Sequence, residues 1–123
     1  MKDLLRLADR YAGHVDARDW DAATALFAED GVLVVPDPPE HLGPTIEHIG
    51  RERIRAAFAE LEATDATQHV VTGVDDCGHV ACIAHHVMGD RCVDWHLHYV
   101  DYVAGGLFVR RELHIDRIET HPA

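Results

Sequence analysis

The character of the chain changes at Thr67, and that change limits the fold more than any other feature of the sequence. From there on, four β-branched and aromatic runs follow one another, at about 67–74, 79–88, 93–103 and 107–118. Turn signals separate them: Asp75-Asp76-Cys77-Gly78, Met88-Gly89-Asp90 and Ala104-Gly105-Gly106. Runs of this length joined by short Gly-containing turns read as an antiparallel meander. Before Thr67 the pattern is helical. Leu5, Ala8, Ala12 and Asp16 recur at helical spacing, flanked by Leu4, Tyr11 and Val15, which predicts a helix over 3–17. Asp19 is a good N-cap for a second helix, which Gly31 would end. Val32 to Val35 reads as a short strand, and Gly50 opens a third helix with Ile54, Ala57, Phe58 and Leu61 facing inward. Between them, Pro36-Asp37-Pro38-Pro39-Glu40-His41-Leu42-Gly43-Pro44 can be neither helix nor central strand, and a long loop of this kind is a candidate lid.

Three helices followed by a meander is an α+β plan. A strongly twisted sheet of this size curls, and the helices close its concave side. The expected architecture is a cone-shaped α+β barrel, with three N-terminal helices on a curved, mostly antiparallel sheet, in a single domain over 1–123. A chain of 123 residues builds one core. A nucleic-acid binder needs a basic surface, and a formal charge of −11 argues against one. No apolar run is long enough for a membrane span, and the charged start is unlike a signal peptide, so a cytoplasmic location is expected. Cys77, Cys82 and Cys92 form no metal or redox pair and read as free buried thiols.

Asp16 is the most informative residue. A carboxylate on the apolar side of a helix costs several kcal/mol if charged and unpaired, so it must cap, reach water, or meet a partner in a cavity. His69, in Thr67-Gln68-His69-Val70-Val71, is the natural partner. An aspartate bonded to one imidazole nitrogen fixes the tautomer and leaves the other nitrogen as a base. Eleven histidines invite other readings. His85-His86 lies in a strand, so one ring faces the pocket and the other faces out. His96 and His98 share a strand face at a spacing that can bind a metal, but nothing resembles an H-E-x-x-H or cysteine-cluster site, and no metal is expected. The sequence holds no serine, which excludes a Ser-His-Asp triad. Gly105-Gly106 is a hairpin turn and not a phosphate loop.

The succession Tyr11-x4-Asp16-x2-Asp19-Trp20, Leu26-Phe27-x2-Asp30-Gly31, Gly50-x3-Ile54 and Thr67-Gln68-His69 resembles the SnoaL-like branch of the nuclear transport factor 2-like superfamily. The resemblance runs over nearly the whole chain. It implies the cone fold and a deep pocket between helices and sheet. It also implies a catalytic pair, because scytalone dehydratase, lindane dehydrochlorinase and bile-acid 7α-dehydratase use an aspartate of the first helix with a histidine of a later strand. Asp16 and His69 match those positions, and Tyr11 is similar in spacing to the tyrosine of the bile-acid enzyme. Two departures stand out. Val15 occupies the place of a tyrosine in scytalone dehydratase, and Leu107 that of a tryptophan frequent in relatives.

The expected activity is that of a cofactor-independent lyase, isomerase or cyclase acting on a small hydrophobic hydroxy-carbonyl compound, with dehydration favoured. Asp16, His69 and Tyr11 would be catalytic. His85 or His86, with Trp20 and Phe58, would bind the substrate. The alternative is a non-catalytic member of the same fold that holds an apolar ligand or a protein partner. A homodimer or higher homo-oligomer is the expected assembly.

Overall fold

The computed structural model describes residues 2–36, 44–60 and 67–122. The order is α1 (Lys2–Asp16), α2 (Trp20–Thr24), β1 (Phe27–Pro36), β2 (Thr45–Ile49), α3 (Arg51–Ala59), β3 (Thr67–Val74), β4 (Val80–Met88), β5 (Arg91–Ala104) and β6 (Leu107–Pro122). Six strands form one mixed sheet in the order β2-β1-β6-β5-β4-β3. The β3 to β6 meander is antiparallel throughout, and β1 joins it parallel to β6. The α+β cone expected from the sequence is the fold observed. Most of the proline-rich segment, residues 37–43, and Leu61 lie outside the described residues.

Helix α1 buries Leu7, Ala8, Tyr11 and Ala12, a stripe of i, i+1, i+4, i+5 spacing one position away from a stripe centred on Leu5. A Schellman turn ends it: the Asp19 amide donates to the His14 carbonyl at 2.9 Å and the Arg18 amide to Val15 at 3.0 Å. Arg18 takes the left-handed conformation this turn requires, at φ 56°. Asp19 then caps α2, its carboxylate accepting from the Ala22 amide at 3.1 Å. The turn fixes where α1 stops, and so fixes Asp16 at its last residue.

Two expectations change here. The second helix is one short turn and does not reach Gly31, because Phe27 already belongs to β1. The Phe108 amide donates to the Leu26 carbonyl at 2.8 Å, and Phe27 stands beside Phe108 in the ladder. The register then slips between Phe27 and Val32. Gly31 fits within that bulge because a Cβ there would lie 3.0 Å from the Ala28 carbonyl and 3.1 Å from that of Phe108. The other change is β2, a strand the sequence did not signal, paired antiparallel to β1 from Val32↔Ile49 to Pro36↔Thr45.

The side chains divide into two packed groups. One joins α1, α2 and α3 to β1 through Leu7, Tyr11, Trp20, Phe27, Ile54 and Phe58, with Phe108 of β6. The other lies on β4 and β5, around Val80, Cys82, Leu97 and Tyr99, against Ala8. Arg51 ties α3 to β1 by donating from Nε and Nη2 to the Phe27 carbonyl at 2.9 and 2.7 Å. With α3 held there, a space stays open between the helices and the middle of the sheet.

Candidate active site

That space is a cavity of about 780 Å³. Its walls are chiefly apolar, including Trp20, Leu33, Phe58, Trp95, Leu97 and Ile115. Period 2 along the strands explains the selection: Trp95, Leu97 and Tyr99 of β5 face the helices, while His96 and His98 face away.

Asp16 and His69 meet at this cavity. His69 Nδ1 is 2.6 Å from Asp16 Oδ1, and the backbone amide of His69 donates to Oδ2 at 2.7 Å. One carboxylate thus holds both the ring and the main chain of the same residue. Both side chains are mostly enclosed, at 23% and 16% exposure, so the pair is sheltered without being sealed from a ligand. In the neutral ring, a carboxylate accepting at Nδ1 puts the proton on that nitrogen and leaves Nε2 with its lone pair.

Tyr11 also lines the cavity. Its ring packs edge-on against Phe27, Tyr99 and Phe108 at 5.9–6.1 Å. Burial pushes its phenol up to about 12, opposed by the nearby Arg111 guanidinium, so it is a neutral donor at physiological pH. Trp20 and Phe58 stack at 5.9 Å and 16°, forming one flat wall.

Of the adjacent histidines, His86 faces the cavity and His85 faces out. His85 is therefore removed from the substrate-binding set: its Nδ1 is bound to Asp94 on the outer face, and it is half exposed. The ladder sets this phase, since His86 pairs with Thr67 and Ala84 with His69. His86 and His69 are consequently diagonal neighbours on the concave face, within reach of one ligand. His96 and His98 are likewise outside, each against a carboxylate: His96 Nε2 to Glu119 at 2.6 Å and His98 Nδ1 to Asp116 at 2.7 Å. Among the described residues no three His, Cys, Asp or Glu side chains are arranged to hold a metal.

The cysteines are free, but only Cys82 is buried; Cys92 is partly so and Cys77 is exposed in its turn. Burial pushes the Cys82 thiol up to about 11, which leaves it protonated and a poor nucleophile.

Two residues packed behind the cavity tyrosines escaped the sequence reading. Asp101 and Arg111 face each other across β5 and β6 on the concave side, and both side chains are enclosed, at 0% and 1% exposure. Their signal was phase: Asp101 continues the inward positions of Leu97 and Tyr99, and Arg111 those of Leu113 and Ile115.

No helix is long and apolar enough to cross a membrane, among the described residues. No curated protein matches the chain in sequence. Solved structures match it over almost all its length. A provisionally assigned scytalone dehydratase from Novosphingobium aromaticivorans has a TM-score of 0.74 at 19% identity, covering 97% of this chain and 85% of that one. SalBIII, an epoxide hydrolase/cyclase-like enzyme of pyran-ring formation in the polyether salinomycin, has a TM-score of 0.68 at 18% identity, covering 92% of each chain. A computationally designed 17-OHP binder has a TM-score of 0.70 at 16% identity, covering 97% of this chain and 96% of that one. At these identities the likeness is one of fold. The family model of the SnoaL-like domain matches residues 1–75, from α1 through Asp16 to the end of the strand that carries His69, and the chain belongs to that family.

Proposed function

We propose that the protein is a cofactor-independent enzyme that removes a proton next to a carbonyl in a small hydrophobic molecule, with loss of water as the favoured outcome. The observation that carries this reading is the double hold of Asp16 on His69 at the wall of an apolar cavity. It leaves Nε2 as a base in a site otherwise suited to a polyketide- or steroid-like ring system.

In the proposed cycle, His69 Nε2 takes the proton from the carbon beside the carbonyl. The electron pair of that C–H bond moves toward the carbonyl oxygen, where the Tyr11 phenol donates a hydrogen bond to the developing charge. Asp16 supports the positive charge that builds on the imidazole. As the double bond forms, the hydroxyl one carbon further on departs, and His69 returns the proton so that water leaves. His86, diagonal to His69, binds the departing hydroxyl or a ring oxygen of the substrate. Cyclisation by aldol chemistry begins with the same proton removal and would use the same groups. The dehydratase-named and cyclase-like neighbours favour this class of chemistry.

The test is a panel of cyclic β-hydroxy ketones, followed by the ultraviolet absorbance of the conjugated product. Turnover by the wild type that falls roughly a hundredfold or more in His69→Ala supports the proposal. Full turnover in the variant refutes it. A second reading is a ligand carrier, favoured by the designed 17-OHP binder on the same fold. Tight binding of panel members with no product would select it.

A further inference from the structure

Behind two tyrosines of the cavity wall, Tyr11 and Tyr99, the protein buries two charges that a purely apolar core would do without. Arg111 lies within a cage of three rings: its guanidinium carbon is 3.7 Å from the centroid of Tyr99, 4.3 Å from Tyr11 and 4.5 Å from Phe108. Arg111 Nε stands 3.1 Å from Asp101 Oδ1, close enough for an ion pair. The alignment is poor, however. Arg111 Nε and Nη1 and both Asp101 oxygens lack a hydrogen-bond partner among the described residues. Taking each ion out of water costs several kcal/mol, and an ion pair without aligned hydrogen bonds recovers that cost incompletely. A leucine and a methionine would fill the same volume more cheaply. The pair therefore calls for a role beyond packing.

The rings of the cage supply one. Tyr11 and Tyr99 both line the cavity, so each has one surface on the ligand space and another against the guanidinium. A cation over the face of a phenol ring stabilises negative charge developing in that ring and its oxygen. It does so here in a buried site, where water does not screen it. We propose that Arg111, charge-paired with Asp101, is a positioning residue that makes Tyr11 and Tyr99 stronger hydrogen-bond donors toward an oxygen of the bound molecule. Tyr99 thereby joins Tyr11 as a second donor in the cavity wall. Burial pushes both phenols up; Arg111 acts against that rise and Asp101 adds to it. The use of these donors in catalysis rests on the proton-abstraction reading above, whereas their tuning by Arg111 does not.

The experiment reads the phenols directly. The chain has three tyrosines, and Tyr102, at 55% exposure, serves as an internal reference. The full-length protein is labelled with a fluorinated tyrosine, which brings phenol ionisation to lower pH, and titrated by fluorine NMR. Arg111→Met should move the Tyr11 and Tyr99 titrations up by about one pH unit or more, the usual effect of removing a close opposite charge. Asp101→Asn should move them down, and Tyr102 should stay in place. Opposite directions are the signature, because loosened packing would move both variants the same way. Unmoved cavity tyrosines in Arg111→Met, or shifts of one sign in both variants, would overturn the proposal. If Arg111→Met does not fold, Arg111→Gln takes its place under the same criterion: an upward shift of Tyr11 and Tyr99, opposite to that in Asp101→Asn, supports the proposal, and no shift or a shift of the same sign overturns it. No substrate is needed, so the outcome stands apart from that of the dyad. Where turnover is found, Arg111→Met should lower kcat about tenfold with KM little changed, and Arg111→Lys should restore much of it. That loss is smaller than the roughly hundredfold expected for deleting a donor outright.

Discussion

Replacing Asp16 by asparagine should reverse the proton on His69 while leaving its ring in place. The carboxylate accepts twice from His69, at Nδ1 and at the backbone amide. An amide has one oxygen and one NH2. If its oxygen keeps the backbone bond at Oδ2, its NH2 faces Nδ1 and must donate there. Nδ1 then loses its proton to Nε2, and the nitrogen facing the cavity changes from acceptor to donor. The stability cost follows from one charged hydrogen bond exchanged for a neutral one in a partly exposed site, about 1–2 kcal/mol. The cost to turnover is much larger, since a base in the wrong tautomer is no base: a factor of about 10² to 10⁴, the upper end being that of the same change in a serine-protease triad. Nitrogen-15 NMR of labelled histidine distinguishes the two neutral tautomers without any substrate, and urea unfolding gives the stability difference. A variant that keeps the proton on Nδ1 would refute the reasoning, as would one that keeps full turnover.

Tyr11→Phe should retain the packing against Phe27 and Phe108 and change the unfolding midpoint little, yet lower turnover about 10²- to 10³-fold; equal turnover in the variant would remove Tyr11 from the site. Phe27→Ala removes a fully buried ring at the junction of β1, β6 and the helices, and should cost about 3–5 kcal/mol in a urea titration. The Asp94 carboxyl is held below its usual range first by the hydrogen bond from His85, with the charges of His85 and His121 adding to it. A depressed folded-state value means that this stability is present above the ordinary aspartate range and is lost as pH falls through the folded-state value. Asp94→Asn should therefore be less stable than the wild type near neutral pH and equal to it in strong acid, as followed by urea midpoints across that window.

The strands after Thr67 were legible because each is bounded by a turn with its own chemistry; the positive φ of Gly89, Gly105 and Gly106 sits where the sequence placed those turns. Asp16 and His69 were legible for another reason: a charge on an apolar helix face requires an explanation, and the first strand of the meander offered a partner. What stayed hidden depends on register. Local composition lets Leu26 and Phe27 continue a helix, and only the hydrogen bond between Leu26 and Phe108, some 80 positions away, makes Phe27 the start of a strand. Strand β2 is five residues with four exposed side chains, too short and too polar to show alternation. The side taken by His85 or His86 follows from pairing with β3, which no single run encodes. The Arg110-Arg111 pair reads as surface charge, and the inward turn of the second arginine appears only when it is counted in phase with Leu113.

In the proposed reaction His69 removes a carbon-bound proton from a molecule in the cavity, and hydrogen exchange measures this step without requiring the full reaction. Cyclic ketones that bind the protein are incubated with it in heavy water, and deuterium incorporation beside the carbonyl is followed by mass spectrometry. Catalysed exchange is expected from the wild type, with a loss of roughly a hundredfold or more in His69→Gln while binding is retained. Exchange at the same rate in wild type and variant, for ligands both proteins bind, would contradict it.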